Sequence, residues 1–281
     1  MDRIEHGLGK LSHPDILERL FYYTNALVGV HPFLIARESI VLLFNLYKEP
    51  QLQRSMVPAF IATHRIFFTR GPTEQFIMSA NHFLSLLREK LSRPGHQGQH
   101  GAYIMCCNFA SVLQYGDTNG VVAAEFRPSL SENVTDSYVL ARERISQMPC
   151  ESRSSSSTDQ VQLSNMNNST NHSNPRLSWQ IAFQGSSLTF DTLSVFLVQK
   201  GDPTIYPSFH TSLAFLWCLA LHPSVMRELE HLIPWLKITR FLNTLLTPGL
   251  ELSIFEGASF PVLKSIKPRQ FSEDFLLRGK A

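Results

Sequence analysis

The prolines constrain this chain more than any other feature, because of where they stand. Proline lacks an N–H and has a fixed φ, so it suits the first turn of an α-helix and disrupts the middle of one. Pro14, Pro32, Pro50, Pro72, Pro223 and Pro234 each stand just ahead of a segment with helical spacing. After Pro14 the apolar positions are Ile16, Leu17, Leu20, Phe21, Leu27 and Val28. After Pro32 they are Phe33, Ala36, Ile40, Leu43, Phe44 and Tyr47, and after Pro72 they are Phe76, Ala80, Phe83, Leu84, Leu87 and Leu91. Steps of three and four put each set on one face of a helix. A further segment, 52–70, carries Val57, Phe60, Ile61, His64, Phe67 and Phe68, and Pro58 within it predicts a late start or a kink. The expected fold is all-α, built of antiparallel helical hairpins in a solenoid-like arrangement, since the connections are short. No sequence repeat is visible, only a recurring segment length.

Farther along, Ser92 to Gly101 is rich in Gly, His and Gln and reads as a loop. A helix containing Tyr103 and Val112 follows, broken by Gly116 to Gly120, and another is expected over Tyr138 to Ser146. Residues 149–175 include SRSSSSTDQ and SNMNNSTNHSN. So few apolar residues cannot offset the entropy of ordering, and a disordered insertion is expected. Trp179 to Lys200 favours helix, although Gly185 and its β-branched residues leave a strand open. Pro207 to Leu221 is apolar on several faces, which predicts the central, nearly encircled helix. Val225 to Leu232 and Trp235 to Leu246 complete the set, and the last 30 residues look irregular.

A chain of 281 residues, 43% of them hydrophobic, can bury one large core or two smaller ones. With 25 basic and 23 acidic side chains, its net charge of +2 supplies no strong pull toward nucleic acid, a membrane or acidic substrates. Cys106, Cys107, Cys150 and Cys218 form no CxxC pair, which points to reduced thiols in the cytosol or nucleus. The opening MDRIEHGLGK lacks the apolar core of a signal peptide, and the apolar run Leu213 to Leu221 is too short to span a bilayer. No membrane partner is expected.

The chemistry-bearing residues point away from catalysis. Eleven histidines occur, yet there is no HExxH and no cluster with carboxylates; His96 and His100 lie in a Gly-rich loop. No metal or other cofactor is expected. GxSxG, P-loop and GxGxxG patterns are absent, and Cys106 and Cys107 in YIMCCNFASVL read as buried small hydrophobes. The reading is therefore a non-enzyme with no small-molecule substrate. Phe67, Phe68, Trp217 and Trp235 have the chemistry to stack on bases, but aromatic residues at helical spacing read first as core. Arg65 and Arg70 flank the IFFT run, and Lys237 and Arg240 share a helix face. These four are the candidate nucleic-acid-binding residues, weighed against a plain solvated helix surface. Arg37 and Glu38 read as exposed helix residues, with a buried interhelical pair as the alternative. The Ser-rich tract reads as a surface loop, with phosphorylation as the alternative.

The run FYYTNALVGVHPFLIARESIVLLFNLY, Phe21 to Tyr47, resembles one family: the telomerase-associated "ever shorter telomeres" proteins and the 14-3-3-like adaptors of nonsense-mediated mRNA decay. Tyr22, Tyr23, Leu27, Pro32, Phe33, Ala36, Glu38, Ser39, Leu43 and Phe44 carry the likeness, and His31 replaces the usual Asn. His64 to Arg70 is similar to a second family helix. His210 to Leu246 resembles a stretch of filamentous-fungal members, and Ser272 to Gly279 resembles a family segment after which other members continue. The resemblance implies the end of a tetratricopeptide-like, 14-3-3-like domain over 1–30, and a helical-hairpin domain over 31–148 and 176–281, divided by the insertion at 149–175.

It also implies a non-enzymatic scaffold for protein partners of mRNA-decay or telomerase complexes, in the nucleus, the cytoplasm or both. Two alternatives accompany that expectation: a module that binds single-stranded RNA or DNA directly, and a truncated, non-functional fragment. An amputated solenoid exposes an apolar end, so self-association is expected of the isolated chain.

Overall fold

The computed structural model describes residues 7, 15–29, 31–47, 54–93, 99–126, 175–199 and 202–245. Every regular element among them is helical: α1 (Ile16–Val28), α2 (Ala36–Asn45), α3 (Met56–Phe68), α4 (Thr73–Ser92), α5 (Gln99–Val112), α6 (Val121–Glu125), α7 (Pro175–Phe196), α8 (Tyr206–Ala220), α9 (Pro223–Leu229) and α10 (Trp235–Leu245). The fold is all-α. Short 3-10 turns at Gln114–Gly116, Pro203–Ile205 and Glu230–Leu232 link some of these helices.

Local chemistry explains the boundaries. Asp15 caps α1, its Oδ1 accepting the Leu17 and Glu18 N–H groups at 2.9 and 3.2 Å, which satisfies donors that a helix start leaves unpaired. Helix α3 starts late, at Met56, so that Pro58 falls in its first turn rather than kinking its middle. Pro223 opens α9. The strand alternative for Trp179 to Lys200 is not realised: α7 runs unbroken through Gly185, which marks the closest approach to α5. A Cβ there would meet the Ser111 carbonyl carbon and oxygen at 2.9 Å.

Helix α5 is the hub. Helix α1 runs alongside it in the same direction, as the pairs Phe21–Tyr103 (ring centroids 4.7 Å) and Thr24–Cys107 show. Helix α8 is also parallel to α5, with Phe215 stacked on Phe109 at 4.1 Å and Ser208 beside Gly101. Helix α7 runs antiparallel: Thr189 bonds the Asn108 carbonyl, and Ser178 meets Gln114 at the other end. Helices α3 and α4 form an antiparallel hairpin, registered by Phe60–Phe83, Thr63–Ser79 and Phe67–Phe76. One continuous apolar core reaches from Leu17 of α1 to Phe241 of α10. Helix α1 shares that core with the helices after it. In a solenoid each repeat touches its neighbours; here three helices distant in sequence converge on α5, the arrangement of a bundle.

Two expectations need correcting. The encircled helix is α5 and not α8, whose Trp217 is 54% exposed. Size decides this: α5 offers Gly101, Ala102, Cys107, Ala110 and Ser111, all buried, so neighbours close in from several sides. The two tryptophans read as core, Trp217 and Trp235, are about half exposed, at 54% and 44%, whereas Phe67 is buried as expected and Phe68 half-buried. The helix expected over Tyr138 to Ser146, the insertion (apart from Pro175, which opens α7), Cys150, the segment Ser272 to Gly279 and the final 30 residues lie outside the described residues.

Candidate binding cleft

A cleft of about 350 Å³ opens where the α3–α4 turn, the turn after α5 and the first half of α7 meet. Each wall follows from a local feature of the chain.

The first wall is the end of α3. The Thr69 N–H and hydroxyl both bond the Arg65 carbonyl, at 3.0 and 2.9 Å. Arg70 then takes a left-handed conformation (φ 56°), and the Gly71 N–H closes on the Ile66 carbonyl at 2.8 Å. Left-handed closure is a common way to end a helix, and glycine usually occupies that position. An arginine there costs energy that neighbouring contacts must offset.

The second wall is more strained. Gln114, Tyr115 and Gly116 all have positive φ, at 52°, 52° and 68°. Two are not glycine, so the surroundings must hold the turn in place. Arg37 of α2 does so from one side, donating from Nη2 to the Tyr115 carbonyl at 3.0 Å with its guanidinium over the Phe68 ring. His64 of α3 does so from another, its Nδ1 lying 2.6 Å from the Tyr115 hydroxyl. The His64 Nε2 lies 3.1 Å from Asn108 Oδ1. The Nε2–H therefore donates to the amide oxygen as assigned, and Nδ1 accepts the tyrosine proton. Complete burial pulls the His64 pKa down to about 4, against the opposing pull of the Asn108 hydrogen bond. Burial raises the Tyr115 pKa well above 10, with Cys107 adding to the effect and Arg70 opposing it. Both rings are neutral near pH 7, which fixes tyrosine as donor and histidine as acceptor.

Gln114 anchors the other end of the turn: its Nε2 donates to the Ser178 carbonyl at 2.7 Å, and the Ser178 hydroxyl reaches the Asn119 carbonyl at 3.0 Å. Gly116 has no room for a side chain, since a Cβ would lie 2.3 Å from the Leu27 carbonyl oxygen.

Leu177, Gln180, Ile181 and Gln184 of α7 make the third wall. Gln184 Nε2 donates to Thr73 Oγ1 at 3.0 Å, tying α7 to the start of α4. Across the mouth, Arg70 Nη2 pairs with Asp117 Oδ2 at 2.9 Å. Phe67 and Phe76 lie beneath, only 4% and 5% exposed.

The four residues proposed for nucleic acid fall into two pairs on different elements. Arg70 sits at the cleft mouth with its charge met by Asp117. Arg65 precedes it on α3, half-buried, with an Nε that finds no hydrogen-bond partner among the described residues. Lys237 and Arg240 are exposed on α10, which Phe241 fastens to α8 through Phe209 and Tyr206. Lys237 stands near Asp191 of α7, whose carboxyl is raised by burial and pulled back by Lys237 and Arg88. No ion pair or hydrogen bond among the described residues joins the two pairs.

Glu38 is exposed as expected, whereas Arg37 is neither a free surface residue nor a member of a buried interhelical ion pair. Arg37 grips a backbone carbonyl instead. The other feature the pattern concealed is the outer face of α2: Leu34, Ile35, Val41, Leu42 and Leu46 all lie open to solvent. Their apolar character is legible in the sequence, but the helix has apolar residues on both faces, and periodicity alone does not say which face is covered.

Cys106, Cys107 and Cys218 form no disulfide with another described residue, and Cys107 is buried beside the Thr24 hydroxyl. Among the described residues no group of three or more His, Cys, Asp and Glu is placed to hold a metal ion, and no helix is long and apolar enough to cross a membrane. Comparison with protein-family models, curated proteins and solved structures produced no match to this chain.

Proposed function

We propose that the chain is a non-enzymatic helical scaffold of the mRNA-decay and telomerase adaptor type it resembles, acting in the nucleus or cytoplasm by holding protein partners on helix faces. The outer face of α2 carries this reading. It presents five large aliphatic side chains to solvent, within and just beside a ten-residue helix whose other face is sealed into the core. A lone surface leucine means little, whereas several large aliphatic side chains exposed on one short stretch, here with the exposed Glu38 and Asn45 among them, are a mark of protein–protein contact. Such a mechanism is stoichiometric: a rigid helix face offers apolar anchors and a partner covers them. The test is affinity purification of the tagged chain from cells that express it, alongside Leu42→Asp. Components of decay or telomerase complexes should accompany the parent chain and be depleted from the variant. Their absence from both preparations would overturn the reading.

A second reading, direct binding of single-stranded RNA or DNA, draws on α10. There the exposed Lys237 and Arg240 share one side of the helix, and Trp235, 44% exposed, lies on another. Two such cations can neutralise phosphates, and an open aromatic on the same helix can stack a base. Micromolar binding that falls steeply with salt, and weakens when Arg65, Arg70, Lys237 and Arg240 become Ala, would support it. No binding at low salt would remove it.

A further inference from the structure

We infer that the cleft between the α3–α4 turn, the left-handed turn 114–116 and α7 receives an extended peptide segment, read by its main chain. This rests on the scaffold reading and adds a second docking point, on the chemistry of the rim.

That rim is polar but carries no net charge. Arg70 and Asp117 face each other at 2.9 Å, so the arginine's charge is already met. A phosphate entering here would gain from Arg70 and lose to Asp117. A base would find no ring to stack on, because Phe67 and Phe76 are covered almost completely. Phosphate and base binding are both disfavoured on these grounds. What an arginine–aspartate pair offers jointly is donors next to an acceptor, and a peptide group presents the complementary carbonyl and N–H.

Helix α7 offers more of the same chemistry. Gln180 is exposed and its side chain makes no hydrogen bond among the described residues. Gln184 has its nitrogen committed to Thr73 and its oxygen left as an acceptor. Residues four apart on a helix lie about 5–6 Å from each other. An extended chain repeats its N–H and C=O along one edge every two residues, about 6.6–6.8 Å. The two glutamines thus stem from one helix row, with Cβ atoms spaced on the order of the strand repeat. Leu177, 55% exposed at one end of the same row, gives an apolar side chain of the peptide a place to land. A cleft of about 350 Å³ suits a short stretch of chain rather than a folded element. The firm tethering of both strained walls means little reorganisation on binding, and preorganisation favours affinity.

The test uses the full chain and a defined probe, the blocked tripeptide Ac-Ala-Leu-Ala-NH2, titrated into isotope-labelled protein and followed by NMR. Gln180→Ala, an exposed site, assigns the Gln180 side-chain amide. The inference expects saturable shifts of the Gln180 and Gln184 side-chain amides and of the Gly71 and Asn119 backbone amides. It also expects binding weakened about three- to tenfold by Gln180→Ala, the size of one lost hydrogen bond. The analogue with an ester in place of the central amide should bind correspondingly less. Absence of shifts up to the probe's solubility limit would overturn the inference. So would an equal response to the ester, which would show that the main chain is not read, or shifts produced by uridine monophosphate in place of the peptide. None of these outcomes touches α2, so the scaffold reading, tested through Leu42, stands or falls separately.

Discussion

Helices α5 and α2 are both apolar, yet one is sealed and the other half open. In α5 Gly101, Ala102, Cys107, Asn108 and Ser111 are buried along with Ile104, Met105, Phe109 and Val112; in α2 Val41 and Leu42 are not. Small side chains let α1, α7 and α8 close around α5: the Ser111 hydroxyl bonds its own helix, and Asn108 meets His64 through Oδ1 and Thr189 through its carbonyl, although its Nδ2 is buried without a partner among the described residues. Bulky aliphatic side chains on both faces of α2 cannot all be satisfied by α1 and α3 behind it. Burial here follows the room a residue leaves for its neighbours, not how apolar it is. An open leucine face is therefore information about something outside the described core.

The strongest way to break this contrast is to enlarge a residue at the sealed helix. Gly185→Val would push a side chain into the Ser111 backbone, which a Cβ alone already approaches to 2.9 Å. Backbone cannot swing aside as a flexible side chain can, so a loss of roughly 3 kcal/mol is expected. Urea unfolding would show it; an unchanged midpoint would mean that α5 and α7 are less closely packed than described.

A proton should be the next most damaging intruder. His64 has its pKa lowered from 6.5 to about 4 by burial, so the unfolded chain takes up the proton first. Stability is complete above the unfolded value and falls as the pH drops from about 6.5 toward about 4. Over pH 7 to 5, ahead of most carboxylates, this amounts to about 2 kcal/mol. Urea unfolding across that range checks the slope, and His64→Gln should flatten it. If the variant kept the whole slope, the proton would be entering elsewhere, with half-buried His222, also lowered by burial, as the next group to examine.

Much of the scaffold was legible in the chain, and the reasons are specific. Prolines and the steps of three and four place α1 to α4 and α8 to α10, because both signals are local. The late start of α3 follows from Pro58 alone. The centre of the bundle was not legible: α8 has the more apolar sequence, and only the packed structure shows that Gly101 lies against Ser208 and Gly185 against Ser111. The cleft was half visible, since Arg70 stood out beside an aromatic run. Its partner Asp117 lies 47 positions away, and nothing local in the sequence pairs them. The left-handed backbone at Gln114 and Tyr115 had no signature either, because it is imposed from a distance by Arg37, His64 and Ser178.

Arg37 allows a test of how the two helices communicate. It is the inward-facing hold of α2 on the turn that ends α5, through one hydrogen bond of 3.0 Å and the Phe68 ring. Arg37→Ala should cost about 1–2 kcal/mol. It should also loosen residues 114–116, seen as faster amide hydrogen exchange there than at the α3–α4 hairpin. Uniform acceleration over the whole chain would indicate that the turn and the core open together.

The smallest effect expected on stability is the one that says most about α2. Leu42 is 67% exposed, so Leu42→Asp removes little burial and places a charge where water already reaches it. The change in unfolding free energy should stay within about 0.5 kcal/mol. At the same time the variant should reduce any concentration-dependent association of the isolated chain in sedimentation, because an apolar face with no partner tends to find another copy of itself. The two readouts together decide what the open face is. A large loss of stability would mean that another part of this chain covers Leu42. Unchanged stability with unchanged association would mean that the stickiness, where it exists, lies elsewhere, with exposed Trp217 and Trp235 the next sites to alter. Unchanged stability with reduced association would leave α2 as a surface that folding does not need, which is the property a docking face requires.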